Sequence, residues 1–139
     1  MINVKSEIMP LKRVLLHRPG NELLNLTPDS LGRLLFDDIP YLKRAREEHD
    51  EFARILSMNG VEVVYLEDLM TEVLEMNTEI REKFIKQFVY EAGIKMPKYK
   101  NIVINFLMGF TNNKELVLKT MEGININELC AMVRDMEHS

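Results

Sequence analysis

The stretch VLLHRPGNELLNLTPDSLGRLLFDDIP, residues 14–40, decides how this chain is read. Val14-Leu15-Leu16 is a short apolar run between Lys12-Arg13 and Pro19-Gly20. A run of that length flanked by turn residues suits a strand buried on both faces. Thr27 before Pro28 predicts a helix start, with threonine as the N-cap and proline at the first helical position, where no N–H is needed. Asp29 in the first turn suits the positive end of the helix dipole. The helix places Leu31, Leu34 and Leu35 on one side and stops near Asp37-Asp38.

Working outward, Pro40 opens a longer helix through about Asn59. Leu42, Ala45, His49, Phe52, Ala53 and Leu56 form its apolar stripe, and Gly60 stands where a helix is capped. Val61, Val63, Val64 and Tyr65 then read as a second strand. Strand, crossover helices and strand make a βαβ unit with parallel strands. Beyond Leu66 the pattern turns helical throughout, over 67–75, 78–92, 98–109, 112–122 and 126–137. Asn77 or Thr78 can cap the second of these. Pro97 lies near the start of the third, and Asn112 with Glu115 has capping-box spacing. Gly93, Gly109 and Gly123 punctuate the ends, and the short loops predict a compact helical bundle. The expected organisation is α/β over residues 1–66, followed by a helical bundle over 67–139.

A two-stranded sheet is marginal in water and leaves two open edges. Either copies of the chain pair their edges, or the chain is part of something longer. The length of 139 residues is enough for one core, and 46% hydrophobic with 29% charged residues is an ordinary globular composition. A net charge of −4 offers no footprint for nucleic acid or an anionic membrane surface. No apolar run approaches the roughly 20 residues that span a bilayer, and MINVKSEIMPLKR lacks a signal-peptide core. The one cysteine, Cys130, cannot form an intrachain disulfide, so a reducing, cytoplasmic setting is expected. The ten methionines lie mostly among other apolar positions, where gap-filling core is the expected role.

Taken in order, several blocks resemble the arginine deiminase family. Leu15-Leu16-His17-Arg18-Pro19-Gly20 with Glu22-Leu23 is similar to its first strand and turn. Leu26-Thr27-Pro28 resembles its first helix start, and Leu34-Leu35-Phe36-Asp37-Asp38 the following helix end. Ala45 to Phe52 resembles the crossover helix. Phe106-Leu107, Glu115-Leu116-Val117 and Met121-Glu122-Gly123-Ile124 resemble an inserted helical region. The Leu-Leu-Phe-Asp-Asp block with Thr-Pro before it is the most specific of these.

The resemblance implies a fivefold α/β propeller, of which this chain holds one βαβ blade unit followed by the inserted helical bundle. It also implies a hydrolase of arginine catabolism that needs no metal or cofactor. A cysteine thiolate attacks the guanidinium carbon of free L-arginine and ammonia leaves. Water then hydrolyses the thiouronium intermediate to citrulline. The family's Phe-Thr-Arg-Asp-Pro motif is absent here, as are its Glu, its His-containing motif and its late Cys. The implied reading is an amino-terminal third that carries no catalytic residue and is inactive alone.

By the same resemblance, Leu35 and Asp38 are substrate-binding positions at the rim of the arginine pocket, the Leu through its carbonyl and the Asp through a basic gating residue. The alternative is that Leu35 is core and that Asp37-Asp38 simply end a helix. Cys130, within INELCAMV, is expected to be buried and inert. Glu47, Glu48, His49 and Asp50 diverge by about 100° per residue, too far to converge on a metal. His17 is expected to be a hydrogen-bonded structural group. Arg18, Asn21 and Glu22 occupy the loop at a strand's carboxyl end, where α/β folds place ligands.

Three functions follow, in order of preference. The first is the arginine deiminase fragment, the second a non-catalytic helical binding or regulatory module, and the third a thiol enzyme built on Cys130. Either of the first two predicts self-association through strand edges or exchanged helices, with no nucleic acid and no membrane as partner.

Overall fold

The computed structural model describes residues 3–34 and 37–137. Two strands, β1 (Arg13–Leu16) and β2 (Glu62–Tyr65), pair in parallel, with Arg13 opposite Glu62 and Leu16 opposite Tyr65. Between them lie a 3₁₀ helix (Asn21–Asn25), α1 (Pro28–Leu34) and α2 (Leu42–Met58). The expected βαβ order therefore holds. The segment after Pro19-Gly20 is a single 3₁₀ turn where only a loop was expected. The long helix starts at Leu42, two residues past Pro40.

The remaining helices are α3 (Leu66–Met76), α4 (Thr78–Glu91), α5 (Pro97–Met108), α6 (Asn113–Glu122) and α7 (Ile126–Glu137). Each begins and ends within two residues of its predicted bounds. The described chain is thus mostly helical, with seven α-helices and one small parallel sheet. None of these helices is long and apolar enough to cross a membrane.

Local chemistry explains the boundaries. Ser30 Oγ accepts the Thr27 N–H at 2.9 Å, closing the first turn of α1 from inside the helix. Asn77 caps α4 by accepting the Glu79 N–H at 2.8 Å, and Asn112 caps α6 by accepting the Glu115 N–H at 3.1 Å. Asn125 and Glu128 cap α7 reciprocally, each side chain accepting the other's backbone N–H. Gly60, one residue past the Asn59 cap of α2, and Gly123, directly after α6, take φ of 78° and 83°, a conformation that glycine adopts without penalty.

The core lies among α3, α4, α5 and α6. Leu74, Ile85, Val89, Val103, Leu107, Leu116 and Val117 form one buried cluster. α3 packs on α6 and α4, α4 on α5, and α5 on α7. The sheet is less well covered. Leu15 is 54% exposed while Val14 and Leu16 are half-buried, so β1 alternates and is not buried on both faces. α2 lies against β2 and buries Ala53, which closes only one face of the pair.

Three further expectations change. Phe52 is exposed, because the row that meets the sheet runs through Ala45, His49, Ala53 and Leu56 and leaves Phe52 on the flank. Leu34 is exposed, and α1 buries none of its residues. Cys130 is also exposed, not core. Glu128 accepts from Lys119 Nζ at 2.6 Å, which fixes the rotation of α7. Leu129, Met132 and Val133 are then half-buried, and Ile126 and Cys130 turn outward.

Candidate functional site

Parallel pairing brings the carboxyl ends of both strands to one edge of the sheet, the place where α/β folds gather polar groups. His17 follows β1 directly, and Glu67 stands in the first turn of α3, which follows β2 without a loop. Glu67 is 5% exposed, the one buried charged residue among those described. A carboxylate there needs partners, since desolvation of an unpaired charge is costly. It has the imidazole of His17, with Nδ1 at 3.0 Å, and more weakly the Arg18 N–H at 3.4 Å. The amino end of α3 adds a favourable dipole.

The other ring nitrogen of His17 meets Glu22 Oε1 at 2.9 Å, and that oxygen also accepts the Gly20 N–H at 2.7 Å. Burial works against the charged imidazole, but the bonds to Glu67 and Glu22 outweigh it and raise the His17 pKa above its ordinary value. Glu22 moves the other way. Burial pushes it up, while the Gly20 N–H and the imidazole together hold it below the usual glutamate range. Gly20 has a specific role here, because a Cβ at that position would lie 2.5 Å from Glu22 Oε2.

α2 fastens the same loop from its other side. Arg18 donates two parallel bonds of 2.8 Å to Asp50, and Arg46 donates to the Pro19 carbonyl at 2.9 Å. The Arg18 pair is exposed, so its worth lies in orientation more than in stability. His49 meets the Tyr65 hydroxyl at 3.3 Å, with the rings tilted at 5.8 Å. Asn21 is exposed. The loop residues His17, Arg18 and Glu22 are thus brought together, with Glu67 as the partner that sequence reasoning missed. A signal for it exists: Glu67 shares the helical stripe of Met70 and Leu74, and an acid on an apolar stripe calls for a counter-group.

The cluster fastens the loop after β1 to the first turn of α3. Both ring nitrogens of His17 are occupied, and no nucleophile bonds to them. Among the described residues, no group of three His, Cys, Asp or Glu side chains is arranged to hold a metal. An apolar depression of about 240 Å³ opens between α3, α4 and α6, bordered by Leu66, Met70, Phe84, Phe88 and Met121. Among the described residues, no titratable side chain lines it.

Asp38 is exposed, and its Oδ1 accepts the neighbouring Ile39 N–H at 2.7 Å. The second oxygen of that carboxylate is directed to no bond within the described chain. Leu35 lies outside the described residues.

Residues 32–136 match the family model for arginine deiminase. The chain belongs to the arginine deiminase family. Arginine deiminase of Treponema denticola is 63% identical over 129 residues, which is 93% of this chain and 32% of that protein. That of Clostridium perfringens is 54% identical over 128 residues, or 92% of this chain and 31% of the relative. That of Streptococcus sanguinis is 53% identical over the same length. The chain therefore spans about a third of the length of the arginine deiminases it matches.

Proposed function

We propose that this chain is the amino-terminal third of an arginine deiminase and supplies one wall of an arginine pocket. The observation that carries this is the extent of the match: 93% of the chain aligns at 63% identity, yet it accounts for only 32% of the relative. In this reading residues 1–66 form the first blade elements of an α/β propeller, and residues 67–139 the inserted helical bundle. Leu35 and Asp38 stand at the pocket rim, where Asp38 pairs with a basic gating residue. An exposed carboxylate with an oxygen to spare suits that pairing.

The reaction of the whole protein is hydrolysis of L-arginine to L-citrulline and ammonia through a cysteine thiouronium, in the cytoplasm. Its nucleophile, proton-transfer histidine and guanidinium-gripping carboxylates come from outside this chain. Cys130 is exposed on α7, and its position does not match the late catalytic cysteine that the resemblance implies. The purified chain is expected to form no citrulline from arginine. Turnover by clean protein that survives Cys130→Ser would overturn the fragment reading, and turnover abolished by that change would instead favour a thiol enzyme.

A non-catalytic binding or regulatory module is the second reading, favoured by the closed core that α3 to α6 possess by themselves. It predicts a stable, well-folded chain with a defined partner or oligomer.

A further inference from the structure

A neutral imidazole carries one N–H and one lone pair, so it can donate to only one of two acceptors. His17 has a carboxylate oxygen on each ring nitrogen, Glu67 Oε2 at 3.0 Å and Glu22 Oε1 at 2.9 Å. Only the doubly protonated ring satisfies both. In the neutral ring, one nitrogen lone pair would face a carboxylate lone pair at hydrogen-bond distance. The two carboxylates belong to different elements: Glu22 lies in the 3₁₀ helix and folds back on the Gly20 N–H, while Glu67 belongs to the first turn of α3. A single proton therefore joins them.

We propose that Glu22–His17–Glu67 is a proton-operated latch: protonated His17 joins the Gly20–Glu22 turn to the amino end of α3, and loss of the proton breaks one of its two bonds and loosens that turn, while the contacts of Arg18 and Pro19 with α2 remain. The other charged groups nearby are engaged elsewhere. From α2, Asp50 is bonded to Arg18, Arg46 to the Pro19 carbonyl and His49 to the Tyr65 hydroxyl of β2. On α3, Asp68 pairs with Lys114 at 2.7 Å. The latch is thus set by Glu22 and Glu67, and it stands whether or not a whole protein turns over arginine.

Its pH window follows from the direction of each shift. A histidine raised in the folded state contributes stability that is fully present below its unfolded value, about 6.5, and is lost as pH rises through the folded value. A lowered glutamate contributes above its unfolded value, about 4.5, and loses that contribution as pH falls through the folded one. The latch is closed between those two unfolded values. It opens as pH rises through the raised His17 value.

Nitrogen NMR of the 15N-labelled chain, with amide exchange followed across the same pH range, tests this. At about pH 6 both His17 ring nitrogens should carry protons, and the ring should titrate above the ordinary histidine value. Across that titration the protection of the Gly20 amide should fall about tenfold, the scale of one lost charge-assisted hydrogen bond, while Ile85 in the core stays unchanged. Glu22→Gln should lower the midpoint. Gly20→Ala, which displaces the Glu22 carboxylate without removing a charge, should do the same. A His17 midpoint at or below the ordinary value, or Gly20 protection indifferent to it, overturns the latch. Should either variant fail to fold, the titration of the unaltered chain decides by itself.

Discussion

Leu116 has no exposed surface and belongs to the same buried cluster as Leu74, Ile85 and Leu107. Shortening it to alanine removes apolar area and leaves a hole that helices on several sides cannot easily collapse. Leu116→Ala should cost about 2–5 kcal/mol, seen as a lower midpoint in urea followed by circular dichroism. Cost below about 1 kcal/mol would mean that the core is far more plastic than its burial implies. At this scale the sequence is only partly legible. His17 reads as a bonded structural group and is one. Glu67 escapes notice because an acid in the first turn of a helix already has an adequate explanation in the dipole. Cys130 misleads for a related reason. Its spacing from Ile126 and Val133 fits an apolar stripe, but the Lys119–Glu128 bridge, set by tertiary contact, turns that stripe partly outward.

Helix ends are fixed by short-range chemistry, and that is why α3 to α7 stand close to where periodicity and caps predict them. At the start of α4 the sequence leaves two candidates, Asn77 and Thr78. The structure chooses Asn77, whose side chain accepts the Glu79 N–H. Asn77→Ala should therefore destabilise the protein by about 1 kcal/mol, and Thr78→Ala by no more than about 0.5 kcal/mol. Urea midpoints of the two variants check this, and the reverse order would place the cap on the threonine. The 3₁₀ helix at Asn21–Asn25 is not legible in the same way. Single 3₁₀ turns have no periodic signature, and this one is held by non-local bonds, among them Asn25 Nδ2 to the Glu122 carbonyl at 3.2 Å.

At the scale of the molecule, α3 to α6 close around their own core, whereas the sheet does not close at all. Among the described residues β1 and β2 pair only with each other, one face of the pair carries the exposed Leu15, and Phe52, Ile55 and Met58 line an outward row on α2. Open edges and an uncovered apolar face are the features that promote association of strands with other chains. In the proposed reading, further blades of a longer arginine deiminase would cover them. Alone, copies of the chain should cover one another. Size-exclusion chromatography with light scattering should therefore show a dimer or larger species at micromolar concentration. Leu15→Lys should shift it toward monomer, because an edge lysine strips the face of apolar area and sets like charges opposite each other in any symmetric pairing. A monodisperse, folded monomer of the unaltered chain would show that two strands under one helix suffice, and would overturn the expectation that the strand edges need a partner.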